Sequence, residues 1–297
     1  MIKPHLRKLS GTLILFTGLI LITVGAGGPA LWYLLELKAI YRGAPHGFLP
    51  ILKQVAIGLV GFILSNVGVS LVRTGKKARE LPAGELLMRD QRAPVLYLRS
   101  FYFDELSAEK TITRREVSIP IPPIILPAMN LSTYEGTLAG ILKKIGPCIA
   151  VGLPGTTRHV LGFSRLELAE DKWQFAVKEL MKEAALVLIC SGRTSGVQWE
   201  LEQAAELVPP ERLVVLITCG TTEYWWQMAD TVFQKKLRRI ESATENIFVG
   251  VITFDRGRTP RSDELIYFLK DQASIENSLR DAFKPIFGRL QVSINSE

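Results

Sequence analysis

ALVLICSGRTSGVQWELEQAAEL, residues 185 to 207, passes from an uninterrupted apolar run through a Gly- and Ser-rich bend into a segment with helical spacing. An apolar run without alternation marks a strand buried on both faces, as in a parallel sheet covered by helices. Beyond the bend, Val197, Leu201, Ala204 and Ala205 fall on one helical stripe, with Glu200 at its edge and Trp199 nearly opposite. The segment therefore reads as strand, turn, helix. A carboxylate in the first turn of such a helix has two readings. It is either a helix-start residue, behind a capping box running from Ser195 to Gln198, or the working group of a site at the strand end.

Four more runs share the character of 185–190: PVLYL (94–98), PCIAVG (147–152), RLVVLIT (212–218) and NIFVGVITF (246–254). Between them, helical spacing predicts helices over 133–145, 168–184, 197–207 and 223–240. A last helix is predicted over 273–288, on Ile275, Leu279, Ala282, Phe283 and Ile286. The alternation predicts an α/β domain over 90–297, with a flavodoxin-like, doubly wound parallel sheet of five strands in the order 2-1-3-4-5. The stretch 105–132, which contains IPIPPIILP, is too proline-rich for a central strand and reads as either a covering loop or a short hairpin.

Upstream the chain changes character. Residues 11–35, GTLILFTGLILITVGAGGPALWYLL, carry no charge and exceed the roughly 20 apolar residues needed to cross a bilayer core. Residues 55–72, VAIGLVGFILSNVGVSLV, form a second run, extendable to about residue 50 if Lys53 reaches toward the head groups. Residues 1–85 thus read as a transmembrane hairpin with spans over 11–35 and 50–72. Lys3, Arg7 and Lys8 precede the first span and Arg73, Lys76, Lys77 and Arg79 follow the second, so both termini are expected on the cytoplasmic side of the inner (plasma) membrane. The rival reading, a cleaved signal peptide ending near GAGGPA, has to explain an apolar run that continues well past that point.

Composition limits the chemistry. Cys148, Cys190 and Cys219 are odd in number and form no CxxC pair, so they read as small core residues in a reducing compartment. Of three histidines only His159 lies outside the membrane part, which speaks against a nucleophilic triad or a multi-histidine metal site. Much of the net charge of +7 flanks the spans, so no nucleic-acid partner is expected. The basic residues Lys235, Lys236, Arg238 and Arg239 read as a solvated helix face. No GxxxxGK[ST] or GxGxxG occurs, which removes Walker and Rossmann phosphate loops.

In a sheet of the expected order the ligand crevice lies beyond the carboxyl ends of the strands, between the loops RSFYFDE (99–105) and SGRTSG (191–196). Glu200 falls beside it, and Arg99 stands ready to pair with a phosphate or with Asp104. The glycine-containing bends VGLPGTTRH (151–159) and SGRTSG either hold a phosphate on free helix-start amides or are ordinary turns. Trp173, Trp225 and Trp226 read as helix-packing residues.

VLYLRSFYFDE, followed much later by LVLICSGRTSGVQWELEQA, resembles the Toll/interleukin-1 receptor (TIR) domain pattern, and the segment 145–174, IGPCIAVGLPG through GFSRLELAEDKWQ, resembles a group of bacterial membrane-anchored TIR-like proteins. GVQWELEQA also resembles the nucleoside 2-deoxyribosyltransferases, in which a glycine precedes the nucleophilic glutamate by four residues. Trp199 and Glu200 are adjacent here, whereas the TIR turn separates its tryptophan and glutamate, and 105–132 is long for a TIR first loop. The resemblance implies Glu200 as the catalytic residue, with Arg99, Ser100, Asp104, Gly155, Ser195 and Gly196 as ligand contacts. It implies NAD or a related nucleotide as substrate, with neither metal nor bound cofactor required, and self-association beneath the membrane. The alternative it carries is a non-catalytic interaction or signalling module, or a nucleotide sensor.

Overall fold

The computed structural model describes residues 4–41, 48–99, 134–152, 162–169, 171–240, 248–265 and 272–290. They fall into two compact units, one formed by the first 80 residues and one from Leu81 onward.

The first unit is a pair of long helices, α1 (Pro4–Tyr41) and α2 (Phe48–Arg79). Leu9–Leu35 and Val55–Lys76 are long and apolar enough to cross a membrane. Their large side chains point outward, with Leu13, Ile20, Leu31, Val55 and Leu59 all exposed. What faces inward is small. Gly11, Gly18 and Gly25 of α1 oppose Gly75, Gly68 and Gly61 of α2, each set spaced by seven residues. A Cβ on Gly18 would lie 2.6 Å from the Gly68 carbonyl oxygen and 2.8 Å from Val72, so the backbones meet with nothing between them. Packing of this kind, driven by close backbone approach rather than by hydrophobic transfer, suits a lipid environment. The seven-residue repeat keeps the seam in register along the pair. Pro29, inside α1, offers no N–H to the Gly25 carbonyl four residues before it, and that carbonyl faces Gly61 across the seam.

The second unit opens with a short helix, α3 (Ala83–Arg89), and is built on a seven-stranded mixed sheet. Its strands are β1 (Val95–Leu98), β2 (Cys148–Gly152), β3 (Ser164–Glu167), β4 (Leu186–Cys190), β5 (Leu213–Thr218), β6 (Phe248–Phe254) and β7 (Pro260–Glu264), in the spatial order β3-β2-β1-β4-β5-β6-β7. β3, β2, β1, β4 and β5 run parallel, whereas β6 is antiparallel to β5 and β7 antiparallel to β6. The helices are α4 (Tyr134–Leu142), α5 (Trp173–Glu183), α6 (Ser195–Leu207), α7 (Glu223–Phe233) and α8 (Gln272–Arg289). α4 and α8 cover the face that carries Val95, Tyr97, Leu188 and Cys190. α5, α6 and α7 cover the face of Leu96, Leu98, Val187 and Ile189. Both faces of the central strands are thereby buried, as their unbroken apolarity demands.

Three expectations need correction. The sheet is not a five-strand parallel one. All five apolar runs are strands, but two edge strands, β3 (SRLE) and β7 (PRSDE), were not legible because edges face solvent and carry charge. The direction of β6 is equally invisible to hydropathy, since burial on both faces says nothing of polarity. The helix predicted over 223–240 ends at Phe233, where Gln234 takes a left-handed conformation (φ 53°) that closes the helix. Arg239 is therefore not on a helix face: it bonds Asp230 at 2.8 Å and Glu223 at 3.0 Å and lies over the Trp226 ring. Finally, Ser195 does not cap α6. Thr194 does, its hydroxyl accepting the Val197 N–H at 3.4 Å.

The glycine seam makes a direct prediction. Gly18→Leu forces a side chain into the Gly68 carbonyl and should cost the helix pair about 1–3 kcal/mol, the usual scale of overpacking. Gly27→Leu, where the added group meets open space, should be near neutral. SDS-titrated unfolding of the full chain in mixed micelles measures both; equal shifts would show that the helices do not meet at this seam.

Candidate functional site

β1 has β2 on one side and β4 on the other, so the chain winds in opposite directions from β1 and leaves a crevice beyond its carboxyl end. Arg99 directly follows β1, and the bend after β4 leads into α6. Of the two loops expected to flank the crevice, 191–196 carries the bend into α6, and 100–105 lies outside the described residues.

The most buried polar cluster of this edge starts at Tyr97. Its ring stacks on Phe163 at 4.5 Å, and its hydroxyl donates to Glu135 Oε1 at 3.1 Å. Glu135, in the first turn of α4, also accepts from Arg99 Nη1 at 2.8 Å, with both side chains more than nine-tenths buried. The Cys190 thiol, at the end of β4, donates to the Tyr97 oxygen at 3.2 Å. Burial holds the Tyr97 hydroxyl well above its ordinary range, with the neighbouring Cys190 adding to it. Burial likewise pushes the Cys190 thiol up to about 12, against the lowering effect of its bond to Tyr97. Neither group is a nucleophile at neutral pH. A buried ion pair gains little net energy, because desolvation offsets attraction, but removal of one partner leaves a stranded charge. The Arg99–Glu135 pair therefore fixes where β1 ends and α4 begins.

Glu200 is different. It is 7% exposed, and its Oε2 has no hydrogen-bond partner. Among the described residues no cation bonds it. Desolvation alone raises its carboxyl from the usual carboxylate range to about 8, so burial favours the neutral acid at pH 7. The first-turn position expected from the sequence needs correction: α6 begins at Ser195, so Glu200 is in its second turn, beyond the reach of the helix-start dipole that favours an ionised carboxylate. It lies near enough to Cys190 to raise that thiol further.

The bend between β4 and α6 is pinned by hydroxyls. Ser191 Oγ accepts the Thr218 N–H at 2.9 Å and pairs with the Thr218 and Thr221 hydroxyls at 3.0 and 2.6 Å. Arg193 donates to the Gly220 carbonyl at 3.2 Å. Ser195 and Gly196 open α6. A Cβ on Gly196 would meet nothing nearer than 4.0 Å, so internal packing does not demand glycine there and the helix start stays open to close approach. Next along the same edge, a cavity of about 350 Å³ is lined by Thr218, Cys219, Thr221, Trp226 and Arg239.

Of the residues expected at the site, Arg99 and Glu200 lie at the crevice, Arg99 paired with Glu135. Ser195 and Gly196 sit at its rim. Ser100, Asp104 and Gly155, with the stretch 105–132, lie outside the described residues. Tyr97, Glu135 and Ser191 were missed: an acidic residue at a helix start, a tyrosine in an apolar strand and a serine in a bend each have a commonplace reading. Trp199 is packed edge-on against Trp173 at 4.7 Å, with Lys178 over its ring. Trp225 and Trp226 are core residues, as expected. Among the described residues no group of His, Cys, Asp and Glu is arranged to hold a metal ion.

Comparison of the chain with protein-family models, with curated proteins and with solved structures finds no match.

The Glu200 carboxyl ties stability to pH. With a folded pKa of about 8 against an ordinary value of 4.5, the native state holds a proton that the unfolded chain gives up in between. The stabilisation is complete below 4.5 and is lost as pH rises through about 8, on the order of a few kcal/mol at about 1.4 kcal/mol per unit. Urea denaturation of wild type and Glu200→Gln between pH 5 and 9 should show the variant gaining relative stability as pH rises. Parallel curves would place the carboxyl in water.

Proposed function

We propose that the chain is a membrane-anchored TIR-like protein whose α/β unit hydrolyses the N-glycosidic bond of NAD or a related nucleotide, with Glu200 facing the anomeric carbon. One observation carries this reading: a buried carboxyl with an unpartnered oxygen at the point where the winding of the sheet reverses. A fold does not leave a desolvated, unbonded carboxyl at its crevice for stability, because it lowers stability at neutral pH.

The chemistry follows from charge. Breaking the C1′–N bond sends the bonding pair to the departing base and leaves oxocarbenium character at C1′. The Glu200 carboxylate stabilises that centre or forms an ester with it, and water then releases the sugar product. A ligand with a cationic base favours the ionised carboxylate and draws off the proton that burial retains. With Glu200 as the residue that must be ionised, kcat/KM should rise about tenfold per unit below pH 8 and level off above it.

Glu200→Gln should abolish base release, read by chromatography of full-length protein incubated with NAD and with nucleosides, while the melting temperature does not fall. Glu202, exposed one position beyond Leu201 and bonded by Gln198 at 3.0 Å, is the control. Undiminished turnover in Glu200→Gln, or equal loss in Glu202→Gln, would remove Glu200 from the mechanism.

The second reading, a non-catalytic interaction or signalling module or a nucleotide sensor, draws on Arg99. Arg99, the cation expected to meet a phosphate, is paired with Glu135, which gives it a part in the fold. A protein that binds NAD without releasing base would meet this reading.

The helix pair anchors the protein as a multi-pass hairpin of a bacterial inner membrane, with both termini cytoplasmic, a reading supported by two apolar helices bracketed by basic residues. A reporter active only in the cytoplasm should work when fused after residue 90 or 297 and fail when inserted at Gly43; activity at Gly43 would overturn the topology.

A further inference from the structure

At the middle of Val55–Lys76 stands an amide. Asn66 is exposed on α2, off the glycine seam that buries its neighbours Ser65 and Gly68, and among the exposed Val55, Leu59 and Phe62. One hydrogen of its Nδ2 is given to the Phe62 carbonyl at 2.7 Å. Among the described residues the other hydrogen and the Oδ1 acceptor make no bond. Three exposed threonines on these helices differ: Thr17, Thr23 and Thr74 each donate to the carbonyl four residues before, at 2.9–3.0 Å, and their hydrogens are thus satisfied locally.

At mid-depth in a bilayer hydrocarbon offers neither donor nor acceptor, and a half-bonded amide there is costly. We propose that α2 docks on α2 of a second copy of this chain through Asn66, the two amides exchanging hydrogen bonds across a two-fold axis along the membrane normal. The occupant follows from chemistry. A carboxamide is both donor and acceptor, hence its own complement, and in a two-fold pair of parallel helices any residue near the axis meets itself at the same depth. The unused hydrogen of each Nδ2 goes to the other Oδ1, so two bonds form and both amides are filled. The proposal rests on the membrane reading given above and is independent of what the crevice does. It assigns the hairpin a second task beyond anchoring, which is to bring two α/β units together.

The test uses the full chain, labelled at its amino terminus with donor or acceptor fluorophore and reconstituted into phosphatidylcholine vesicles at increasing protein-to-lipid ratios. Alkaline extraction of the same vesicles comes first. Wild type should stay with the vesicles and show energy transfer that saturates as the ratio rises. Asn66→Leu should need about tenfold more protein per lipid for the same transfer, the scale of one or two interhelical polar contacts. Asn66→Gln should retain most of it, and Thr74→Val, whose hydroxyl is already bonded to Ser70, should match wild type. Extraction of wild type into the supernatant would sink the membrane reading and this proposal together. Retention without energy transfer would sink the proposal alone and leave Asn66 to lipid or to a different protein. Equal transfer in wild type and Asn66→Leu would show that copies associate elsewhere.

Discussion

The α/β unit depends on the pairing of β1 with β4. Their register, Val95 with Leu186 through Leu98 with Ile189, joins segments about 90 residues apart and places a strand from the second half of the chain between the first pair and the rest. Because β2 occupies the other side of β1, the connections leaving β1 and β4 diverge, and a gap opens where they part. Everything of chemical interest gathers there. Arg99 lies just past the end of β1, Cys190 ends β4, Glu135 lies in the first turn of α4 and Glu200 in the second turn of α6, on helices covering opposite faces.

The two carboxyls at this edge are treated in opposite ways by their surroundings. Glu135 has Arg99 and Tyr97 to share its charge, so its burial is compensated. Glu200 has the same burial and an oxygen without a partner, so the proton stays. One group ties the fold together and the other is left without a hydrogen-bond partner among the described residues. The contrast is what separates a structural acid from a candidate working one, since either alone would be an unremarked glutamate near a helix start.

The helix pair obeys a different rule. Water rewards the α/β unit for hiding leucines and valines; in the hairpin the large side chains point out and the contact is made by glycine on glycine. The pair consists of two helices long and apolar enough to cross a membrane, and outward leucines with inward glycines are the arrangement that a lipid surrounding favours. The same logic singles out Asn66, which would be ordinary on a soluble helix and is anomalous only at the middle of a span.

The sequence by itself determined the five buried strands and most helices, because an unbroken apolar run and a 3.6-residue stripe record burial directly. It determined the two long apolar helices for the same reason, and it put Glu200 beside the crevice. It could not reveal β3 and β7, whose exposed edges leave no apolar trace, nor the reversal of β6, because hydropathy has no direction. Nor could it tell that Arg99 would turn to Glu135, 36 residues away, or that Glu200 would be left unbonded. It held the glycine spacing of the seam, but the facing of Gly18 with Gly68 needed both helices. Pairing and desolvation are properties of what surrounds a side chain, and only the tertiary structure supplies the surroundings.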